Sequence, residues 1–313
     1  MSIKGAFATL CTKDEYLPGT LVVARCLKEV KSKYTLVVLA TDTLSQNARD
    51  VLNSYGVRVR NIDPLMPTEG AHTLALHDIR FAQTWTKLRV FSLVEYDRVI
   101  LMDSDMIVMR NMDELMELEL PEGGIAAAHV CACNPRKLPH YPTDWEPENC
   151  AYTPLVHPTG ISSPTQVTPR GPRPHGQLNS GLVILQPSSS AAESIAQFVR
   201  TSPLVETFAF PDQDLLSEYF RGRWRPLPYV YNALKTLRDI HKSLWRDEEV
   251  RCLHYIFPQK PWHVRPKAEV EGEDMYEAPN RWWWERFERL VAELELSDVR
   301  GKELVEASVA PPH

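Results

Sequence analysis

The stretch Arg98–Met109, RVILMDSDMIVM, reads as a buried strand interrupted by two carboxylates. Val99 to Met102 is an unbroken apolar run, Asp103 and Asp105 follow one residue apart, and the apolar run then resumes. A short continuous run of this kind suits a strand covered on both faces, as in the sheet of an α/β protein. Similar runs precede it: GAFATLC from Gly5, Tyr34–Thr41, and Val57–Asp63, which alternates like a partly exposed strand. Helical patterns lie between them at Pro18–Glu29, Ser45–Tyr55 and Thr84–Glu95. Pro18 suits a first helical turn and Ser45 is placed to cap. Strand and helix in alternation predict βαβ units: an α/β, Rossmann-like domain with a mostly parallel central sheet. Ligands of such sheets sit beyond the C-terminal ends of the strands.

Asp103 and Asp105 stand at such an end. Residues i and i+2 of an extended chain point to one side. Two carboxylates so placed repel each other unless a cation lies between them, and their oxygens suit Mg²⁺ or Mn²⁺. Taken alone, the pair reads better as a strand-to-turn cap with two solvated aspartates; its position at the C-terminal end of a hydrophobic strand shifts the reading toward the metal. A second cluster, LHYIFPQKPW at Leu253–Trp262, offers His254 to complete such a site. Lys260, held extended by Pro261, is suited to neutralising a diphosphate. The chain has neither a G-x-x-x-x-G-K-[ST] loop nor a G-x-G-x-x-G turn, which argues against a P-loop NTPase and a dinucleotide dehydrogenase. It has no G-x-S-x-G either, so serine hydrolysis by that route has no support.

The 313 residues suffice for one large domain or two small ones, burying roughly 75% of the unfolded surface. A net charge of −6 makes duplex nucleic acid and anionic membrane poor partners. No apolar run is long enough to span a bilayer, and MSIKGAFATLCTKDEY lacks a signal-peptide pattern. The expectation is therefore a cytoplasmic protein whose six cysteines are reduced. His129, Cys131, Cys133 and Cys150 form a group able to bind zinc, but C-x-C matches no common structural site, so buried thiols are expected.

Pro135–Pro174 carries ten prolines in forty residues and reads as an irregular insertion or lid. Regular structure returns with a strand at LNSGLVILQP, a helix at SAAESIAQFVRT, a short helix at Asp212–Phe220 with Asp212 as its cap, and a strand at CLHYIF. After Pro266 the chain turns acidic; Arg281–Leu294 then reads as an amphipathic helix whose tryptophans cover the main domain. The closing EASVAPPH is expected to fray. This gives a main domain over 1–268 and a C-terminal segment over 269–313.

Taken in order, FATLCTKDEYLPGTLVVARCL, TKLRVFSLVEYDRVILMDSDMIV, LNSGLVILQP, FPDQDLLSEYF and HYIFPQKPW resemble the ordered motifs of glycosyltransferase family 8, which contains glycogenin and the plant galactinol synthases. The resemblance implies a GT-A fold, a UDP-sugar donor, Mn²⁺ (or Mg²⁺) and retention at the anomeric carbon. Carried over motif by motif, it implies that Asp103, Asp105 and His254 hold the metal. Leu10, Thr12 and Tyr16 would form the uridine pocket, with Ser104 also against the donor. Lys87 and Lys260 would face the donor sugar and diphosphate. Asn179, Ser180 and Gly181 would line the sugar, Gly181 allowing its close approach, and Asp212 and Gln213 would sit near the reacting carbon.

Phe257 departs from glycogenin, which has glycine there, and Lys13 replaces an asparagine. The proline-rich insertion with its C-x-C, the FPDQD form and the run from YVYNALKTL to LWRDEEVRCLHY are closer to galactinol synthases, which transfer galactose to myo-inositol. A small polyol or sugar acceptor is thus expected ahead of glycogenin-like self-glucosylation or a glycan acceptor, with a homodimer left open. A non-catalytic UDP-binding scaffold is an alternative. A sugar nucleotidyltransferase would want a Gly-rich first loop, which ATLCTKDEYLPGT does not supply.

Overall fold

The computed structural model of the protein describes residues 3–68, 84–266 and 275–311. Its first half follows the predicted alternation: β1 (Gly5–Leu10), α1 (Leu17–Glu29), β2 (Leu36–Ala40), α2 (Gln46–Ser54), β3 (Arg58–Asn61) and β4 (Arg98–Met102). Ser45 does cap α2, its hydroxyl accepting from the Ala48 N–H at 3.1 Å. The helix expected over Thr84–Glu95 is instead a 3₁₀ helix over Thr84–Ser92. The reason lies in its spacing. Trp85, Leu88 and Phe91 recur every third residue and are all buried, and three residues per turn put them on one face.

The remaining elements are β5 (Met106–Val108), β6 (Ile125–His129), α3 (Thr159–Ser162), β7 (Leu178–Leu185), α4 (Ser189–Thr201), α5 (Pro211–Tyr219), β8 (Trp224–Pro226), β9 (Ala233–Leu234), α6 (Leu237–Ile240), β10 (Cys252–His254), α7 (Glu277–Ser297) and α8 (Val299–Glu306). They build a seven-stranded sheet in the order β3-β2-β1-β4-β7-β6-β8 and a small sheet in the order β5-β10-β9. The large sheet is mostly parallel; β7 runs against both its neighbours, β4 and β6.

β4 is buried on both faces. Val99 and Leu101 join a core with Trp85, Leu88 and residues of α4 and α5, while Ile100 and Met102 face the core built from α1 and α7. The chain leaves the large sheet at Met102 and enters the small one at Met106. Asp103 and Asp105 occupy that crossing, which is why two carboxylates interrupt an apolar run.

As expected, α7 covers the main body. Trp283, Trp284, Phe287 and Leu290 are buried in the same core as β1 and β4, and the Trp284 indole N–H donates to the Pro261 carbonyl at 2.9 Å. The chain end is better held than expected: the Ala310 N–H donates to the Trp262 carbonyl at 2.8 Å. The acidic residues 267–274, and with them the expected division after 268, lie outside the described residues, as do Pro312 and His313. The proline-rich segment is largely irregular, with 3₁₀ turns at Pro147–Asn149 and Arg173–Gly176. Asp212 is not the cap of α5. Phe210 takes that position and Pro211 starts the helix, because proline's fixed φ and missing N–H suit a first helical residue. Asp214 reaches back instead, accepting from the Phe210 N–H at 2.8 Å. Among the described residues no helix is long and apolar enough to cross a membrane.

Candidate active site

Strand pairing brings the distant motifs together. Met102 pairs with Leu182, and the Asp103 N–H donates to the Gly181 carbonyl at 2.8 Å, so β7 holds Asp103. On the other side of the crossing, Met106 pairs with His254, and the Tyr255 N–H donates to the Asp105 carbonyl at 2.9 Å. His254 Nε2 consequently lies 3.7 Å from Asp103 Oδ2 and 3.4 Å from Asp105 Oδ1. The other ring nitrogen, Nδ1, is 2.9 Å from Asn232 Oδ1. The Asn232 amide nitrogen donates to Asn179 Oδ1 at 2.8 Å, which fixes the amide with its oxygen toward the ring. Nδ1 is therefore a donor, which leaves Nε2 turned toward the two carboxylates, as the nitrogen a metal would take in place of a proton. Such a set is repulsive by itself and complementary to a divalent cation with oxygen and nitrogen ligands. The residues fit the ion that the motif spacing called for.

Two ammonium groups close the site. Lys87 Nζ lies 2.7 Å from Asp103 and 2.9 Å from Asp212. Burial works against its charge, but the two carboxylates outweigh burial and hold the lysine well above its usual range. Lys260 bonds Asp105 and also donates to the Tyr255 carbonyl at 3.1 Å. Burial pushes Asp105 up, yet Lys260 and His254 overcome it and keep that carboxyl well below the usual range. Asp103 is shifted the other way, pushed up first by burial.

These groups line a cavity of about 460 Å³, together with Leu10, Thr12, Tyr16, Ser104, Asn179, Ser180, Gly181, Asp212 and Gln213. Every residue that the sequence pointed to for the metal, the donor or the reacting carbon thus reaches one cavity. Gly181 also has a reason within the protein itself: a Cβ there would lie 2.3 Å from His254 Cε1 and 2.9 Å from Asn179 Oδ1, so its bareness seats the histidine ring. Gly19 does the same for the crossing, since a Cβ would stand 2.5 Å from the Ser104 carbonyl. Phe257, where glycogenin has glycine, adopts φ +81°; its ring carries the Arg136 guanidinium at 4.2 Å.

Two features escaped the sequence reading. Asn232, fully buried, is the fixed partner of His254; it lies in the YVYNALKTL run, whose local pattern gives it no role. The second is an aromatic wall. Trp145 stacks on Phe210 at 5.5 Å, and Tyr141 meets Trp145 edge-on at 5.0 Å; all three line the cavity, whereas Trp282, Trp283 and Trp284 do not. The aromatics within the proline-rich segment were the available signal. His129, grouped with the cysteines by proximity in sequence, turns elsewhere: its Nε2 is 2.7 Å from the Thr165 carbonyl.

Comparison with known proteins agrees with this geometry. The model of "Glycosyl transferase family 8" matches residues 8–265. Galactinol synthase 1 of Solanum lycopersicum is 28% identical over 276 residues, covering 88% of this chain and 79% of that protein. Galactinol synthase 2 of Arabidopsis thaliana is 28% identical over 283 residues, covering 90% and 80%. Among solved structures, the galactosyltransferase LgtC, in complex with donor and acceptor sugar analogues, superposes with a TM-score of 0.54 at 16% identity, covering 93% of this chain and 99% of its own. The bifunctional glycosyltransferase WbbM gives 0.60 at 17% identity over 97% of this chain, which spans 51% of WbbM. The fold is thus the GT-A-like glycosyltransferase fold. With the family model matching across β1, the carboxylate crossing, β7 and the His254–Trp262 segment, this chain belongs to glycosyl transferase family 8, and it is an enzyme of the glycosyltransferase class.

Proposed function

We propose that the protein transfers a hexosyl group, galactose or glucose, from a UDP-sugar to a hydroxyl of a small polyol or sugar, in the manner of a galactinol synthase. One observation carries the reading. Asp103, Asp105 and Asp212 face Lys87 and Lys260 around His254, so the carboxylates outnumber the ammonium groups by one. A divalent cation reverses the sign and leaves a net positive site, which is what a nucleotide diphosphate needs.

Asp103, Asp105 and His254 would hold Mn²⁺ or Mg²⁺. When bound, the ion supplies Lewis-acid stabilisation of the departing diphosphate. Lys260 adds its positive charge to the same leaving group. Leu10, Thr12 and Tyr16 offer the uridine an apolar and hydroxyl-lined seat at the end of β1. Asn179 and Gln213, joined by a 3.2 Å hydrogen bond, present amides to sugar hydroxyls, and Tyr141, Trp145 and Phe210 supply apolar faces for a ring. Asp212 is paired with Lys87, which lowers its nucleophilicity. That supports front-face attack with retention, in which the leaving phosphate takes the acceptor's proton, over a covalent intermediate on Asp212.

The test is a donor-by-acceptor screen with Mn²⁺, read by UDP release and product mass. It includes UDP-galactose and UDP-glucose against myo-inositol, glucose and the protein alone. A hexosylated polyol or sugar is expected. Mass added to the protein itself would favour the glycogenin-like alternative, and UDP binding without turnover across a broad acceptor panel would favour the scaffold.

A further inference from the structure

Among the described residues two groups of ligating side chains converge: the carboxylate–histidine set above, and Cys131, Cys133, Cys150 and His241. The second is absent from the chemistry proposed so far. Its four ligand atoms lie within 4.8 Å of one another. His241 Nε2 is 3.3 Å from Cys133 Sγ, 3.6 Å from Cys131 Sγ and 3.7 Å from Cys150 Sγ. The sulfurs of Cys131 and Cys150 are 4.0 Å apart. Three sulfurs nearly equidistant from one imidazole nitrogen match the edges of a ligand tetrahedron around zinc. With Zn–S about 2.3 Å and Zn–N about 2.0–2.1 Å, the edges of the tetrahedron are about 3.8 Å between sulfurs and about 3.5 Å between sulfur and nitrogen.

We infer that Cys131, Cys133, Cys150 and His241 form a structural zinc site of the three-cysteine, one-histidine type. The ligands come from three places. Cys131 and Cys133 follow β6, and Cys150 closes the 3₁₀ turn Pro147–Asn149 in the proline-rich segment. His241 ends α6, and its carbonyl accepts from both Leu244 and Trp245 at 2.9 Å. Each is fixed by backbone structure before any ion arrives, and Cys133, Cys150 and His241 are buried. Binding displaces the three thiol protons and leaves no open coordination position, so the ion's role is to cross-link. It bridges residues 91 apart in the chain, Cys150 and His241, and fastens the proline-rich segment to α6. Cys131 and Ile240 line the catalytic cavity, so the cross-link stands directly behind one of its walls. The C-x-C spacing looked wrong for zinc because its fourth ligand lies far along the chain, at His241 and not at His129.

The full-length protein, purified without chelators, is dialysed against Mn²⁺ to displace weakly held metal and assayed by elemental analysis. About one zinc per chain is expected. It should be released by an organomercurial thiol reagent and be absent from Cys133→Ser and His241→Ala, but retained in Cys26→Ala, a buried thiol outside the group. Growth in cobalt should give the intense ligand-field and thiolate-to-cobalt charge-transfer bands of tetrahedral sulfur ligation, which an aspartate–histidine site cannot produce. The spectrum and the zinc content are read on the wild type, so they decide the matter even if the variants do not fold. Metal-free wild-type protein without the cobalt bands, or a Cys131–Cys150 disulfide found by mass spectrometry of freshly lysed cells, would overturn the inference.

Discussion

Replacing Asn232 with alanine should weaken metal binding without touching a metal ligand. In the native site Asn232 Oδ1 accepts from His254 Nδ1–H at 2.9 Å, and its amide nitrogen is spent on Asn179 at 2.8 Å. The side chain is fully buried, so no solvent replaces it. Its removal leaves the Nδ1–H unpaired, at a cost of about 1–3 kcal/mol. The ring can escape that cost by moving its proton to Nε2, where it would point at Asp105 Oδ1, 3.4 Å away. That tautomer has lost the lone pair a metal needs. Loss of such an outer partner lowers metal affinity about 10- to 100-fold, or about 1.4–2.7 kcal/mol. The assay is a Mn²⁺ titration at saturating UDP, following the paramagnetic resonance of free Mn²⁺, with circular dichroism confirming the fold. Asn232→Asp is a useful companion: it keeps an acceptor for the ring but turns a second acceptor against Asn179 Oδ1. A Mn²⁺ affinity in Asn232→Ala indistinguishable from wild type would refute the argued role of this relay.

Other changes probe the same structure at different points. Gly181→Ala should cost about 1–3 kcal/mol of stability by overpacking and weaken Mn²⁺ binding, because the added methyl stands 2.3 Å from His254 Cε1; denaturant unfolding and the same titration read both effects. Burial pushes the Asp214 carboxyl up to about 6. A raised carboxyl lends stability at acid pH that is lost as pH rises through about 6, so Asp214→Asn should stabilise the protein by up to about 3 kcal/mol at pH 8 and by nothing near pH 4. Denaturant midpoints across that range test the sign; a gain largest in acid contradicts it. Phe257 holds a left-handed backbone, so Phe257→Gly should be more stable than Phe257→Ala by about 1 kcal/mol, both having lost the Arg136 contact. Equal melting temperatures would show that the left-handed backbone carries no strain.

What could be read from the chain follows from the range of the interactions. β1 to β4 announced themselves because burial on both faces leaves an apolar run in consecutive residues, and Ser45 because its bond to Ala48 is local. The metal-ligand triad was visible only through motif order, since Asp103 and His254 meet through β4–β7 and β5–β10 pairings that no local pattern encodes. Asn232 and His241 fall inside the run from YVYNALKTL to LWRDEEVRCLHY, but no local pattern gives either side chain a role, for the same reason. The segment at Thr84–Ser92 was assigned to the wrong helix type because period-three burial was taken for a period of 3.6. That Gly181 also seats a histidine ring is hidden in the sequence, because His254 lies far along the chain.

The central claim is that Asp103, Asp105 and His254 hold the divalent cation through which this site takes a nucleotide diphosphate. Calorimetric titration of UDP with and without Mn²⁺, on the wild type and on Asp105→Ala, tests it most directly. The wild type should bind UDP tightly only with Mn²⁺ present, and Asp105→Ala should lose that dependence together with the tight binding while remaining folded. UDP affinity that is the same with and without Mn²⁺ in the wild type, or undiminished in Asp105→Ala, would contradict it.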